Sequence, residues 1–218
     1  MFINTSQELI FKKIPSLLII LLPVSLISGP FFSDLSVSII AILFFFLIFK
    51  TDLSKYYKSF FFKLFLLFYL VINIASIIGV NPFFSLKNSF FYFRHGLFVL
   101  YFWFLLDINH QLKKYLFNCF VITFSCLVID GFIQYFLGNN LLGFPIAGSG
   151  RISSFFGEEL ILGSYLSRLF PIIFCLLIII HNKNFNQINL VYLFILFLAS
   201  DVLIFLSGER TALVLLNI

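Results

Sequence analysis

Long apolar runs, separated by short polar segments, set the rhythm of this chain. Seven runs are read as membrane helices: residues 14–32, 35–49, 60–80, 88–106, 115–137, 160–180 and 190–206. About 20 helical residues cross the roughly 30 Å hydrocarbon layer of a bilayer. The breaks carry turn or charge signals: Gly29-Pro30, Lys50 to Lys58, Asn81-Pro82, Asp107 to Lys114, Gly138 to Gly150 and His181 to Asn189. Apolar and polar residues do not alternate with a period of two, which argues against a barrel, and no internal repeat is visible. The pattern predicts an all-α fold, a polytopic integral membrane helix bundle of seven complete transmembrane helices. An eighth run begins at Thr211 and stops at Ile218. A chain that ends partway through a helix reads as one transmembrane domain, residues 1–218, belonging to the N-terminal part of a longer protein.

Composition says which solvent these runs need. Hydrophobic residues make up 61% of the chain and charged residues 11%, and mean hydropathy is +1.11. Soluble domains carry about 25% charged residues. This chain cannot cover itself with polar surface, so lipid is its expected solvent. The first run has no small-residue cleavage site and is expected to remain as a helix despite Pro15, Pro23 and Pro30. Cys119, Cys126 and Cys175 lie inside apolar runs and read as packing residues, with neither disulfide nor metal spacing.

The net charge of +5 would suggest nucleic acid in a soluble protein. Here the lysines sit between apolar runs, so the charge is read as orientation in the membrane. A cytoplasmic N-terminus puts Lys12, Lys13, Lys50, Lys55, Lys58, Lys63, Lys113, Lys114 and Lys183 inside. Lys87, Arg94, Arg151, Arg168 and Arg210 then fall on the outer side or in the outer half of a helix. The lysines look like topology. The arginines need another reason.

On this topology Arg94 lies one to two turns into run four. Arg168 is eight residues past Leu160, roughly 12 Å down at about 1.5 Å per residue. Asp130 and Asp201 fall in the outer halves of their helices. Arg151, Glu158 and Glu159 lie on the outer loop, and Glu209 and Arg210 lie at the outer end of run eight. A charge at the bilayer centre costs roughly 2.5–3.5 kcal/mol on insertion scales, so such groups are paired or functional. Pairing of Arg168 with Asp130 or Asp201 is one reading. The other is an anionic ligand at the outer face, because a guanidinium grips phosphate or carboxylate through two parallel hydrogen bonds and never loses its charge.

Local patterns refine the candidates. Gly157, Ser164 and Arg168 are spaced to share one face of run six. Glu158 and Glu159 are expected in the first turn of that helix, where the dipole favours negative charge; a catalytic role is the alternative. His95 reads as a packed residue or a substrate contact, and His110 and His181 as solvated. Trp103 fits an interface anchor. The loop from Gly143 to Gly150 has no phosphate-binding GxxxxGK pattern and reads as a flexible approach to the site. Ser149, within Gly148-Ser149-Gly150, is only distantly similar to the nucleophile of an intramembrane serine protease, and no paired helix His accompanies it.

Two segments carry a family resemblance. Arg151-Ile-Ser-Ser-Phe-Phe-Gly-Glu-Glu-Leu-Ile-Leu-Gly-Ser-Tyr-Leu and Leu206-Ser-Gly-Glu-Arg-Thr-Ala-Leu213 together resemble the O-antigen ligase and O-antigen polymerase family, over residues 150–215, about a third of the chain. The family pattern has an Arg or Ser, an aromatic-Gly-acidic or Asn stretch, a helix-starting Gly, and later a helix opening with Ser-x-x-Arg or Ser-Arg. Members often carry Asn where Glu158-Glu159 stand. The resemblance implies a multi-helix protein of the bacterial inner membrane. It implies glycosyl transfer in lipopolysaccharide biosynthesis, from an undecaprenyl-pyrophosphate-linked glycan to a lipid or saccharide acceptor, at the periplasmic face and without metal or other cofactor. By the same resemblance Arg151 and Arg210 contact the pyrophosphate and Arg168 supports them, with Arg94 and His95 as further binding candidates. The family's base is a His on a large later loop; in this chain Glu158 or Glu159 is the candidate catalytic group. A transporter or flippase for an anionic lipid or solute is the alternative function, and a structural subunit with paired charges a third.

Overall fold

The computed structural model describes residues 8–147, 150–181 and 187–218, without the side chains of residues 181 and 187–189. The described residues are helical throughout, apart from loops and one isolated bridge between Asn139 and Pro145. The helices are α1 (Ile14–Ile20), α2 (Leu22–Ile27), α3 (Pro30–Ile48), α4 (Ser54–Tyr57), α5 (Phe60–Ile78), α6 (Pro82–Phe90), α7 (Phe93–Ile108), α8 (His110–Leu137), α9 (Leu162–His181), α10 (Gln187–Ser207) and α11 (Arg210–Asn217). A π-helical turn, Leu9–Lys13, precedes α1, and a 3-10 turn, Ser154–Phe156, lies between α8 and α9. Two compact units emerge: Met1–Leu22 with Pro30–Leu112, and Pro23–Gly29 with Lys113–Ile218.

Among the described residues six helical segments, not seven, are long and apolar enough to cross a membrane: Pro30–Ile48, Phe60–Ile78, Pro82–Ile108, His110–Leu137, Leu162–Ile180 and Leu190–Ser207. The run at 14–32 is the one that falls short. Proline lacks the N–H that a helix interior needs, and Pro23 follows the turn at Leu21 that divides α1 from α2. Gly29, at φ 114°, then ends the segment. Pro30 opens α3, so Phe31 and Phe32 belong to the next helix and its start moves forward from residue 35. Pro82 likewise opens α6, and a turn at Phe91–Tyr92 separates α6 from α7 within one apolar stretch.

In unit one, α3 packs on α7. Phe44 and Tyr101 are fully buried with ring centroids 5.4 Å apart. Lipid tails are as apolar as these side chains, so close packing and polar contacts hold the helices together. Phe65 of α5 lies over Gly96 of α7, where a Cβ would come within 2.2 Å of the ring. Tyr101 donates to the carbonyl of Phe11 at 2.7 Å; such bonds between membrane helices are worth about 0.6 kcal/mol on average. At the far end of α7, Lys55 pairs with Asp107 at 2.6 Å and Tyr56 donates to the same carboxylate at 3.1 Å. Trp103 packs edge-on against Tyr56 at 5.3 Å, a mixed aromatic and charged cluster suited to an interface. Burial, then the hydrogen bond and charge of Asp107, pushes the Tyr56 phenol up to about 12.

In unit two, α8, α9 and α10 enclose Phe124, Leu127, Leu166, Ile173 and Leu203, all fully buried. Phe170 bridges Phe124 at 6.0 Å and Phe197 at 5.2 Å. Tyr165 of α9 donates to the carbonyl of Pro23 at 2.6 Å and tethers α2 to this unit. Cys119 is half-buried, whereas Cys126 and Cys175 are exposed on their helices rather than packed as the sequence suggests.

Candidate functional site

Unit two brings the two resembling segments together by a reciprocal exchange of polar contacts. From the first segment, Arg151 Nε donates to the carbonyl of Ser207, the last residue of α10. From the second, Glu209 returns its carboxylate to the start of α9. It accepts from the backbone N–H of Gly163 at 2.7 Å and of Ser164 at 2.8 Å, and from the Ser164 hydroxyl. The three bonds to backbone groups each satisfy one that a helix end leaves unpaired. A carboxylate at a helix N-terminus also gains from the dipole.

Two glycines make the approach possible. Gly208 stands at φ 73° just past the end of α10, the left-handed position that Gly occupies at a helix C-terminus. Gly163 lies directly beneath the second segment: a Cβ there would meet Ser207 Oγ at 2.8 Å and the Glu209 Cβ at 3.0 Å.

The loop after α8 is pinned from below rather than flexible, as far as its described residues 138–147 and 150–161 go. Gln134, fully buried, accepts the backbone N–H of Ser153 at 3.0 Å and of Ser154 at 2.7 Å. Its amide donates to the carbonyls of Phe144 and Pro145. Asp130, one turn earlier and also fully buried, accepts the Ser154 hydroxyl at 2.6 Å and the Leu141 N–H at 2.9 Å. Asn140 accepts from Leu142 and Phe144 and donates to the Ser154 carbonyl. These bonds hold Ser154 at φ 52°, a conformation that non-glycine residues adopt only when their surroundings impose it. Asp130 is thus committed to the loop and not to Arg168.

Three arginines of unit two keep N–H donors unused among the described residues. Arg151 is half-buried, and its Nε contact leaves both terminal nitrogens without a partner among the described residues. Arg168 and Arg210 are exposed and likewise have none there. Asp201 accepts from the Asn217 amide at 2.7 Å. The ion pairs among the described residues all belong to unit one, so pairing of Arg168 with Asp130 or Asp201 is not observed. Within unit one, Arg94 pairs with Asp34 at 2.7 Å and donates to Ser38 at 3.1 Å. His95 is half-buried, with its ring 4.8 Å from that of Tyr92.

Two sequence expectations change. Helix α9 begins at Leu162, so Gly157 does not share its face with Ser164 and Arg168. Glu158 and Glu159 precede the helix, exposed on the turn after Gly157. The acidic group at the α9 N-terminus is Glu209, which reaches it across 46 residues of sequence. Sequence reasoning also passed over Gln134 and Asn140. The signal for Gln134 was present: Asp130 and Gln134 are four apart on one face at the end of an apolar run. Gly148, Ser149 and Lys183 lie outside the described residues.

Comparison with protein-family models, with curated proteins and with solved structures found no match to the chain. Function therefore rests on the chemistry of the residues. Among the described residues no three His, Cys, Asp or Glu side chains come together to hold a metal ion. What unit two offers is guanidinium groups with N–H donors unused among the described residues, and two exposed carboxylates on the turn before α9.

Proposed function

We propose that this chain is a membrane transferase of undecaprenyl-pyrophosphate-linked glycan, of the O-antigen ligase or polymerase type, acting at the periplasmic face. The carrying observation is the reciprocal locking of the two resembling segments through Arg151–Ser207 and Glu209–Gly163. That lock holds Arg151 against Ser207, three residues before Arg210, with its terminal N–H groups unused among the described residues. Transfer of a glycan from a lipid pyrophosphate builds negative charge on the leaving group, and positioned donors lower the barrier by meeting that charge as it forms. Arg151 and Arg210 supply those donors, with Arg168 one turn past Ser164 on α9. Glu158 and Glu159, exposed on the turn before α9, are the carboxylates available to take the acceptor's proton. The sidedness follows from the lysines: placing the lysine-bearing breaks at 50–58, 107–114 and 181–189 in the cytoplasm turns the arginine-bearing end outward.

Arg210 is the cleanest test, because it is exposed and its side chain has no partner among the described residues. In the native cell, Arg210→Ala is expected to abolish surface glycan and accumulate lipid-linked donor, at unchanged protein level. Normal surface glycan in that variant sinks the proposal. Donor movement across reconstituted vesicles without transfer would favour a flippase instead.

A further inference from the structure

A groove on unit one plays no part in the proposed reaction. It lies between α3 and α7, has a volume of about 610 Å³, and is lined by Ala41, Ile42, Phe45, Phe46 and Leu97 along its length. Ligand sites usually enclose about 300–1,000 Å³. Its polar end is Arg94 with Ser38. The walls run parallel away from that end: Phe44 meets Tyr101 about two turns further along both helices.

Arg94 is only partly used. Of the five N–H hydrogens on a guanidinium, one from Nη2 goes to Asp34 at 2.7 Å and one from Nη1 to Ser38 at 3.1 Å. The Nε–H is buried with no acceptor among the described residues, and the side chain as a whole is 29% exposed. Unmatched donors are costly within an apolar layer. Asp34 already balances much of the positive charge. The remaining hydrogens therefore call for acceptor oxygens carrying at most one negative charge. A pyrophosphate would bring more charge up against the Asp34 carboxylate. A phosphodiester flanked by ester carbonyls has the right acceptors, and its chains match the aromatic walls.

We propose that the α3–α7 groove is a binding site for a glycerophospholipid, with the phosphate at the Arg94 guanidinium and one acyl chain along Ile42, Phe45 and Phe46. The site is independent of the transferase reading and stands or falls separately from it.

The experiment uses the full chain in lipid-free detergent micelles with a phosphatidylglycerol probe carrying a photoactivatable group on one acyl chain. Peptide mapping is expected to concentrate label on residues 41–46 and on Leu97. Ile42→Trp fills the groove from a position that is 56% exposed, so folding is not at stake; it is expected to cut that labelling about tenfold. Arg94→Gln removes charge-assisted bonds worth about 1.5–3 kcal/mol and is expected to cut it at least about tenfold. A matching diacylglycerol probe, which lacks the phosphate, is expected to label wild type and Arg94→Gln alike. Label spread equally over the lipid-facing side of α5, for example at Val71, overturns the proposal. So does labelling unchanged in Ile42→Trp, or a polyprenyl pyrophosphate that displaces the probe better than phosphatidylglycerol.

Discussion

Glu209 closes the N-terminus of α9 by accepting the backbone N–H of Gly163 at 2.7 Å. The carboxylate arrives from the α10–α11 junction, and Arg151 makes the return contact on Ser207. Two segments far apart in sequence thus complete each other's helix ends, and neither end is finished without the other.

Loss of that cap has a measurable cost. Glu209→Ala strips acceptors from two backbone N–H groups and one hydroxyl, and is expected to destabilise unit two by about 1–2 kcal/mol. Glu209→Gln keeps an acceptor and should lose less. Thermal unfolding in detergent reads both. Equal stability of wild type and Glu209→Ala would show that the cap contributes nothing.

Asp130 and Arg168 act separately. Asp130 is bound to Ser154 and Leu141, so Asp130→Asn is expected to loosen the loop after α8 and expose it to protease. Adding Arg168→Gln should not restore protection, because effects at sites without shared partners add to within about 0.3–0.5 kcal/mol. Protection recovered in the double variant would mean that the two charges are a pair after all.

Arg94 and Asp34 should show the opposite behaviour. Their contact is 2.7 Å long within apolar helices. Arg94→Gln leaves an uncompensated carboxylate, and Asp34→Asn an uncompensated guanidinium. The double variant is expected to unfold at a higher temperature than either single one, with a coupling of about 1 kcal/mol. Additive losses would contradict a working ion pair.

Tyr56 gives a pH dependence outside the membrane-spanning segments. Its phenol is raised from 10.0 to about 12, first by burial and then by Asp107. A raised value means the folded chain holds this proton more tightly than the unfolded chain. The associated stability is fully present below pH 10.0 and is lost as pH climbs towards about 12. The unfolding temperature of wild type should therefore fall more steeply across that window than that of Tyr56→Phe. Parallel curves would remove Tyr56 as the cause.

Hydropathy is a local property, and it made the membrane helices legible: 60–80, 115–137, 160–180 and 190–206 correspond to helices displaced by a few residues at their ends. The expectation at 14–32 failed because composition alone counts apolar residues, whereas Pro23 and Gly29 act on the backbone. Resemblance singled out the segments around Arg151 and Arg210, yet it could not say what Arg151 touches.

Chain chemistry by itself determined that its helices are apolar enough to cross a membrane, where they run, and that its arginines avoid the lysine-rich breaks. Tertiary structure alone decided which charges are already occupied. A hydrogen bond between Arg151 and Ser207 spans 56 residues, and one between Glu209 and Gly163 spans 46. No periodicity along the chain encodes such pairs, because they depend on which helix ends meet in space.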